Sequence, residues 1–118
     1  RADLPRSLAR GIGGPTLGLR IASGRLLFPF QCAPKFSSCV LYTDRDPLDP
    51  SACRRAEPAF TPTAFGMESS IAKLSADGSD LVMISRNKNL SAITSTSSDG
   101  GASWISHGVD DRFFTSGW

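Results

Sequence analysis

Short runs of alternating apolar and polar residues recur along the first half of the chain, and turn residues separate them. Residues 16–21 alternate, Ser23-Gly24 predicts a turn, and residues 25–30 form a short apolar run. Alternation with a period of two predicts β-strands, and a turn signal between two such runs predicts a hairpin. A third strand is predicted at residues 40–43.

The second half repeats this plan. Residues 70–74 alternate, residues 76–78 predict a turn, residues 81–84 are apolar, and residues 92–96 lead into another turn. No stretch has sustained apolar residues at the i, i+3, i+4 and i+7 spacing of an amphipathic helix. The pattern therefore predicts an all-β chain of short antiparallel strands.

Three pairs of landmark residues share one internal offset. The offset is 54 residues for Gly24 and Gly78, for Leu27 and Leu81, and for Thr43 and Ser97. A repeat of roughly 50 residues built from short strands is typical of β-propeller blades, each a four-stranded sheet. We expect a first blade at about 13–62 and a second at about 63–118, with residues 44–62 as a long connection rich in Pro, Asp and Arg.

Two blades do not close a propeller, which takes about four to eight of them. Together with the first residue, Arg1 rather than Met, this predicts a processed chain or a piece of a longer protein, with apolar faces that need the rest of the propeller. A small sandwich or barrel is the alternative, since either would be complete at this length.

The most particular spacing in the chain is Ser-x-Asp-x-Gly-x-x-Trp, formed by Ser97, Asp99, Gly101 and Trp104. The Asp carboxylate can accept backbone hydrogen bonds, the Gly can adopt a positive φ, and the Trp can bury its ring beside the turn. These four residues predict a tight hairpin with a structural role. The pattern resembles the Asp-box, a hairpin of sialidase propeller blades.

Charge and composition exclude several classes of partner. The net charge is +2, and the basic residues are scattered apart from Arg54-Arg55, so we expect no nucleic-acid partner. No apolar run reaches the roughly 18 residues of a membrane span. His107 is predicted to be an exposed loop residue without ligand spacing, and no metal site is expected.

The cysteines leave the compartment and the pairing open. Cys32, Cys39 and Cys53 lack C-x-x-C spacing, and Cys32 and Cys39 could form a bridge or stay free. Asn89-Leu90-Ser91 is a formal glycosylation sequon, which matters only in a secretory pathway. A secreted or lumenal location is slightly favoured.

Two residues carry candidate chemistry. Glu68 stands at the start of the first strand of the second repeat, and Arg86 ends the neighbouring strand 18 residues later. Antiparallel strands joined by a short turn bring these ends to the same side of the sheet. The pattern predicts a carboxylate beside a guanidinium.

The order of these motifs resembles the sialidase (neuraminidase) family. Glu68-Ser69-Ser70, Ser85-Arg86-Asn87 and the box at residues 97–104 follow one another as they do in that family. The resemblance implies a six-bladed propeller and a retaining exo-α-sialidase that hydrolyses terminal sialic acid from glycoconjugates without a cofactor. It implies that Glu68 is the catalytic base for a tyrosine nucleophile, and that Arg86 is one of three arginines binding the substrate carboxylate.

The resemblance also has gaps. Neither Tyr42, the only tyrosine, nor Arg20 and Arg25 match a family site position, so the nucleophile, the acid/base aspartate and two arginines are expected outside this chain. By itself the chain is expected to be inactive. The alternative hypothesis is a non-enzymatic Asp-box propeller segment that binds a protein or glycan partner.

Overall fold

A computed structural model describes residues 11–13, 17–46, 49–60, 66–88 and 91–114 of the chain. Two residues of the predicted sequon, Asn89 and Leu90, lie outside these ranges, as do residues 14–16 and 61–65. The described part is all-β and antiparallel, as predicted. Among its residues, no helix is long and apolar enough to cross a membrane.

The first sheet contains five strands. They are β1 (Gly11–Gly13), β2 (Leu19–Arg20), β3 (Leu26–Cys32), β4 (Ser37–Thr43) and β5 (Arg54–Ala56). The order is β1-β3-β4-β5, and β2 also pairs with β3. Because β1 pairs with the Cys32 end of β3 and β2 with its Leu26 end, the two share one edge and the sheet is four strands wide.

The second sheet is a four-stranded meander. It consists of β6 (Ser69–Lys73), β7 (Leu81–Arg86), β8 (Ser91–Ser97) and β9 (Ile105–Phe114), in that order. Each strand pairs antiparallel with the next in sequence. Short loops can connect antiparallel neighbours, so strands that follow one another closely in sequence pair in sequence order.

Two sequence expectations need correction. The predicted connection at residues 44–62 contains a 3₁₀ turn, Pro50–Ala52, and the fourth strand position of the first sheet, β5. Arg54 and Arg55 do not show the apolar–polar alternation that predicts a strand, but they form one by pairing with β4. His107 is exposed as expected, but it lies in β9 and not in a loop, where its Nε2 is 2.6 Å from Thr96 Oγ1.

The repeat offset also differs slightly between strands. Thr43 pairs with Leu26, whereas Ser97 pairs with Leu81. The equivalent residues are therefore 54 apart on one strand and 55 apart on its partner. The two hairpins differ in length by one residue, which the landmark spacing alone did not show.

The core joins residues of both sheets. It consists of Ile21, Leu27, Val40, Tyr42, Ala56, Leu81, Met83 and Trp104. Leu27 of the first sheet and Leu81 and Met83 of the second are fully buried. The approach is so close that a Cβ on Gly101, at φ +85°, would lie 2.1 Å from Leu27 Cδ2. This contact explains why a glycine is required there.

Cys32 and Cys39 form a disulfide between β3 and β4, with their Cα atoms 5.9 Å apart. Both are buried, and Cys53 is a half-buried free thiol. The sequence left this pairing open. The β3–β4 register decides it. Cys32 lies opposite Ser37 and Cys39 lies opposite Phe30, so the two cysteines are diagonal neighbours on one face of the sheet.

Part of the apolar surface faces outward. Phe28 of β3, Ile84 of β7 and Ile105 of β9 are among the exposed large hydrophobic residues. In the second sheet, Val82 pairs with Thr96, which in turn pairs with Ile105, so these three residues share the outward face.

Candidate functional site

Glu68 and Arg86 lie beside each other where β6 begins and β7 ends. The Arg86 N–H donates to the Glu68 carbonyl at 2.8 Å, and the Met67 N–H donates to the Arg86 carbonyl at 2.8 Å. Met67 and Glu68 thus both face Arg86, so the pairing is irregular, as at a β-bulge, just before the first residue of β6.

The two side chains form an ion pair. Arg86 Nη1 lies 3.3 Å from Glu68 Oε2, and the side chains are 28% and 40% exposed. Solvent can therefore reach both groups. The Arg86 Nε is buried and has no hydrogen-bond partner among the described residues. A single contact through Nη1 leaves other guanidinium N–H groups free to bind a further acceptor.

The segment before Glu68 is fixed by the first sheet. The Ser38 N–H donates to the Gly66 carbonyl at 2.8 Å, and the Ser38 hydroxyl donates to the Met67 carbonyl. A Cβ on Gly66 would lie 2.4 Å from Ser85 Cβ. Gly66 is therefore pressed between β4 and β7, and this contact sets where Glu68 enters the second sheet.

The segment after Arg86 is fixed by Asn87, which is buried. Its backbone N–H donates to the Ser91 carbonyl at 2.9 Å, and its side-chain oxygen accepts from the Lys88 N–H at 2.7 Å. These bonds hold the turn that follows β7. The segments on either side of the ion pair, before Glu68 and after Arg86, are thus held by hydrogen bonds to the backbone. These segments position the two side chains.

The turn at residues 97–104 is held by its own side chains. Asp99 Oδ1 accepts from the Ser97 hydroxyl at 2.8 Å and from the Ser103 N–H at 2.9 Å, and Oδ2 accepts from the Ser103 hydroxyl at 2.5 Å. The Ser97 oxygen accepts from the Gly101 N–H at 2.9 Å, and Trp104 Nε1 donates to the Gly101 carbonyl at 3.0 Å. The geometry is that of a closed, self-contained hairpin turn.

The charge of Asp99 reflects these contacts. Partial burial acts to raise the pKa of this carboxyl, but the hydrogen bonds from the Ser103 hydroxyl and N–H and from Ser97 outweigh it. The pKa of Asp99 is therefore lowered. The carboxylate stays ionised. Both of its oxygens accept hydrogen bonds within the turn, so it is not available to a ligand.

Arg25 is the residue that sequence reasoning missed. Its Nε and Nη2 donate to the Asp44 carboxylate at 2.7 and 3.0 Å, and its Nη1 donates to the carbonyls of Asp99 and Gly100 at 3.2 and 3.1 Å. Its guanidinium carbon lies 4.6 Å from the centre of the Tyr42 ring. One side chain therefore joins the first sheet to the closed turn of the second.

The Arg25–Asp44 bond also affects both ionisable groups. The side-chain hydrogen bond from Arg25 lowers the pKa of Asp44, and the same bond raises the pKa of Arg25. Tyr42 is buried beneath this pair. No signal in the sequence marks these contacts, because the partners are 19, 74 and 75 residues away from Arg25.

Comparisons with known proteins give no relative. No family model, no curated protein and no solved structure matches the chain. Within the described ranges, no three His, Cys, Asp or Glu side chains are grouped so that they could hold a metal ion.

Proposed function

We propose that this chain forms part of an exo-α-sialidase that hydrolyses terminal sialic acid from glycoconjugates by a retaining mechanism. The observation that supports the proposal most is the Glu68–Arg86 pair at the adjoining ends of β6 and β7. The closed turn at residues 97–104 and the two similar antiparallel sheets give additional support, because they agree with blades of a partial β-propeller.

The proposed chemistry assigns one task to each residue. Sialic acid has a carboxylate on its anomeric carbon, and the planar guanidinium of Arg86 can bind it through the N–H groups that Glu68 leaves free. Glu68, a solvent-accessible carboxylate, would accept the proton of a tyrosine nucleophile. That tyrosine, the acid/base aspartate and two further arginines would come from other parts of the propeller, since Tyr42 is buried under Arg25.

The test uses the longest protein that contains this chain and a fluorogenic sialoside. Arg86→Lys should raise KM about tenfold or more with a smaller change in kcat, because charge-assisted bonds to the substrate carboxylate are lost. Glu68→Gln should lower kcat by about 10²-fold or more with little change in KM, because the base is removed.

The matched control is the ion pair on β9. Arg112 Nη2 lies 2.7 Å from Asp110 Oδ2, so Arg112→Lys and Asp110→Asn make the same chemical changes outside the proposed site. Both should leave KM and kcat unchanged. Equal kinetics for the Glu68 and Arg86 variants and the unaltered protein would remove these residues from the site, and the absence of any sialoside hydrolysis would reject the activity.

A non-enzymatic binding segment is the second candidate. The ion pair between Glu68 and Arg86 favours it, because each side chain neutralises the charge of the other. A carboxylate already bonded to a guanidinium can simply stabilise the sheet. In that case a sialylated glycan would bind the longer protein without being cleaved, or would not bind at all. A glycan-binding assay run beside the hydrolysis assay separates the two candidates.

A further inference from the structure

A second candidate site lies in the first sheet, at the end of β4. A cleft of about 360 Å³ opens there, lined by Tyr42, Thr43, Asp44, Arg45, Ser51, Ala52 and Arg54. It lies between the turn after β4 and the segment that leads into β5. Nothing in the proposed sialidase chemistry uses this cleft, and the inference below does not depend on that chemistry.

The turn at the cleft begins like the closed turn of the second sheet. The Arg45 N–H donates to the Thr43 hydroxyl at 3.1 Å, and the Asp99 N–H approaches the Ser97 hydroxyl at 3.4 Å. Arg45 therefore occupies the position of Asp99, two residues after the hydroxyl. Where the second turn supplies an anion from its own sequence, the first turn supplies a cation.

Nearby acidic groups offset the charges at the cleft only in part, since Asp49 attracts Arg45 and Asp44 attracts Arg54. Among the described residues, Asp44 is the only acidic one lining the cleft, and its carboxylate is already bonded by two nitrogens of Arg25. Asp49, close by in sequence, accepts hydrogen bonds from the Ser51 N–H and hydroxyl at 3.0 and 2.6 Å. In the ranges that the structure describes, neither Arg45 nor Arg54 has an acidic group within 4.0 Å.

Tyr42 is the best-fixed residue of the cleft lining. Tyr42 forms the buried wall of the cleft and lies directly opposite Arg54 in the β4–β5 ladder. The cation–π contact with Arg25 fixes the Tyr42 ring from another side. Arg45, Arg54 and the Thr43 hydroxyl also line the cleft, and these are donor types that bind carboxylate or phosphate groups.

We propose that this cleft binds a small oxyanion, either a carboxylate or a phosphate group, between Arg45 and Arg54. The oxygens of the anion accept hydrogen bonds from the two guanidinium groups. The site is distinct from the Glu68–Arg86 pair, which lies on β6 and β7.

The experiment is a titration of the ¹⁵N-labelled full chain with inorganic phosphate, with acetate and with chloride at matched ionic strength. A specific site gives saturable shifts at the amides of residues 43–45 and 52–54 with phosphate or acetate, and none with chloride. Phosphate saturating alone identifies a phosphate group as the ligand, and acetate saturating identifies a carboxylate. Shifts that grow linearly for all three salts would overturn the proposal.

Variants distinguish a specific anion site in the cleft from a general attraction of anions to positive charge. Arg45→Gln and Arg54→Gln should each weaken binding about tenfold, because each removes a hydrogen bond to a charged group. Lys35→Gln, which removes the same charge from the exposed turn between β3 and β4, should change nothing. Unchanged binding in both arginine variants would overturn the proposal. Both arginines are exposed, so their replacement should leave the fold intact, and the spectra report this directly.

Discussion

The turn that follows β4 and the turn that follows β8 occupy matching ends of the two sheets, but they are held in different ways. The second turn uses Asp99 and Trp104, both of which bond within residues 97–104. The first turn lacks both residues and is held through Asp44 by Arg25, which lies just before β3. One turn is complete in its own sequence, and the other depends on a residue 19 positions away.

This difference has a consequence for how the sheets are joined. The side chain that holds the first turn also donates to the carbonyls of Asp99 and Gly100 in the second. The first turn thus depends on Arg25 for its own shape, whereas the second uses Arg25 only as an external contact. We expect substitutions to reveal this asymmetry.

The largest effect is expected for Trp104→Ala, which opens the closed turn. Trp104 is 7% exposed and belongs to the core that joins the sheets. Losing its ring leaves a cavity and deprives the Gly101 carbonyl of its donor. The free energy of unfolding should fall by about 3–5 kcal/mol, measured by chemical denaturation with far-ultraviolet circular dichroism.

The control for this substitution is the next residue. Ile105 is 68% exposed, so Ile105→Ala should change the free energy of unfolding by less than about 0.5 kcal/mol. Similar losses for the two variants would mean that Trp104 does not anchor the turn.

A smaller effect is expected for Arg25→Gln. The change removes a two-nitrogen bond to a half-exposed carboxylate and two bonds to backbone carbonyls. Because solvent screens the Asp44 pair, we expect a loss of roughly 2 kcal/mol in the free energy of unfolding. Arg20→Gln, on the exposed end of β2, should cost less than about 0.5 kcal/mol.

The amide spectra of this variant sharpen the comparison. Arg25→Gln should shift the amides of residues 43–45 strongly, because their turn loses its anchor. It should shift those of residues 99–101 only slightly, because the Asp99 and Ser97 bonds remain. Larger shifts in the second turn than in the first would contradict the asymmetry.

The closed turn was readable from the sequence because all its partners lie within eight residues. Asp99 and Ser103 are four apart, and Gly101 and Trp104 are three apart. The Glu68–Arg86 contact was also predictable, since one hairpin sets the register of β6 and β7. Local chemistry of this kind leaves a spacing that can be recognised without coordinates.

The contacts of Arg25 and the pairing of β5 could not be predicted, because the residues involved are distant in sequence. Nothing near Arg25 indicates that it bonds Gly100, and nothing near Arg54 indicates that it pairs with Tyr42 on β4. The β5 strand forms by pairing with a neighbour rather than through its own composition, so residues 44–62 read as a connection. The roles of Glu68 and Arg86 in catalysis stay predictions.

The smallest expected effect distinguishes the two carboxylates by pH and salt. The pKa values of Asp44 and Asp99 are both lowered in the folded chain. Such groups stabilise the fold above their unfolded pKa of about 3.9, and this stability is lost as the pH falls through the folded pKa. Asp99→Asn should therefore cost about 1 kcal/mol at pH 7 and nothing at a pH below the folded pKa, by denaturation at both pH values.

Salt separates the causes of these two shifts. Asp44 is stabilised mainly by a charged partner, Arg25, so the pH-dependent cost of Asp44→Asn should shrink in about 1 M NaCl. The bonds that lower the pKa of Asp99 come from the uncharged donors of Ser103 and Ser97, so the cost of Asp99→Asn should persist in salt. If salt reduced both costs equally, the second turn would depend on Arg25 as much as the first does, since Arg25 is the charged group that contacts both turns.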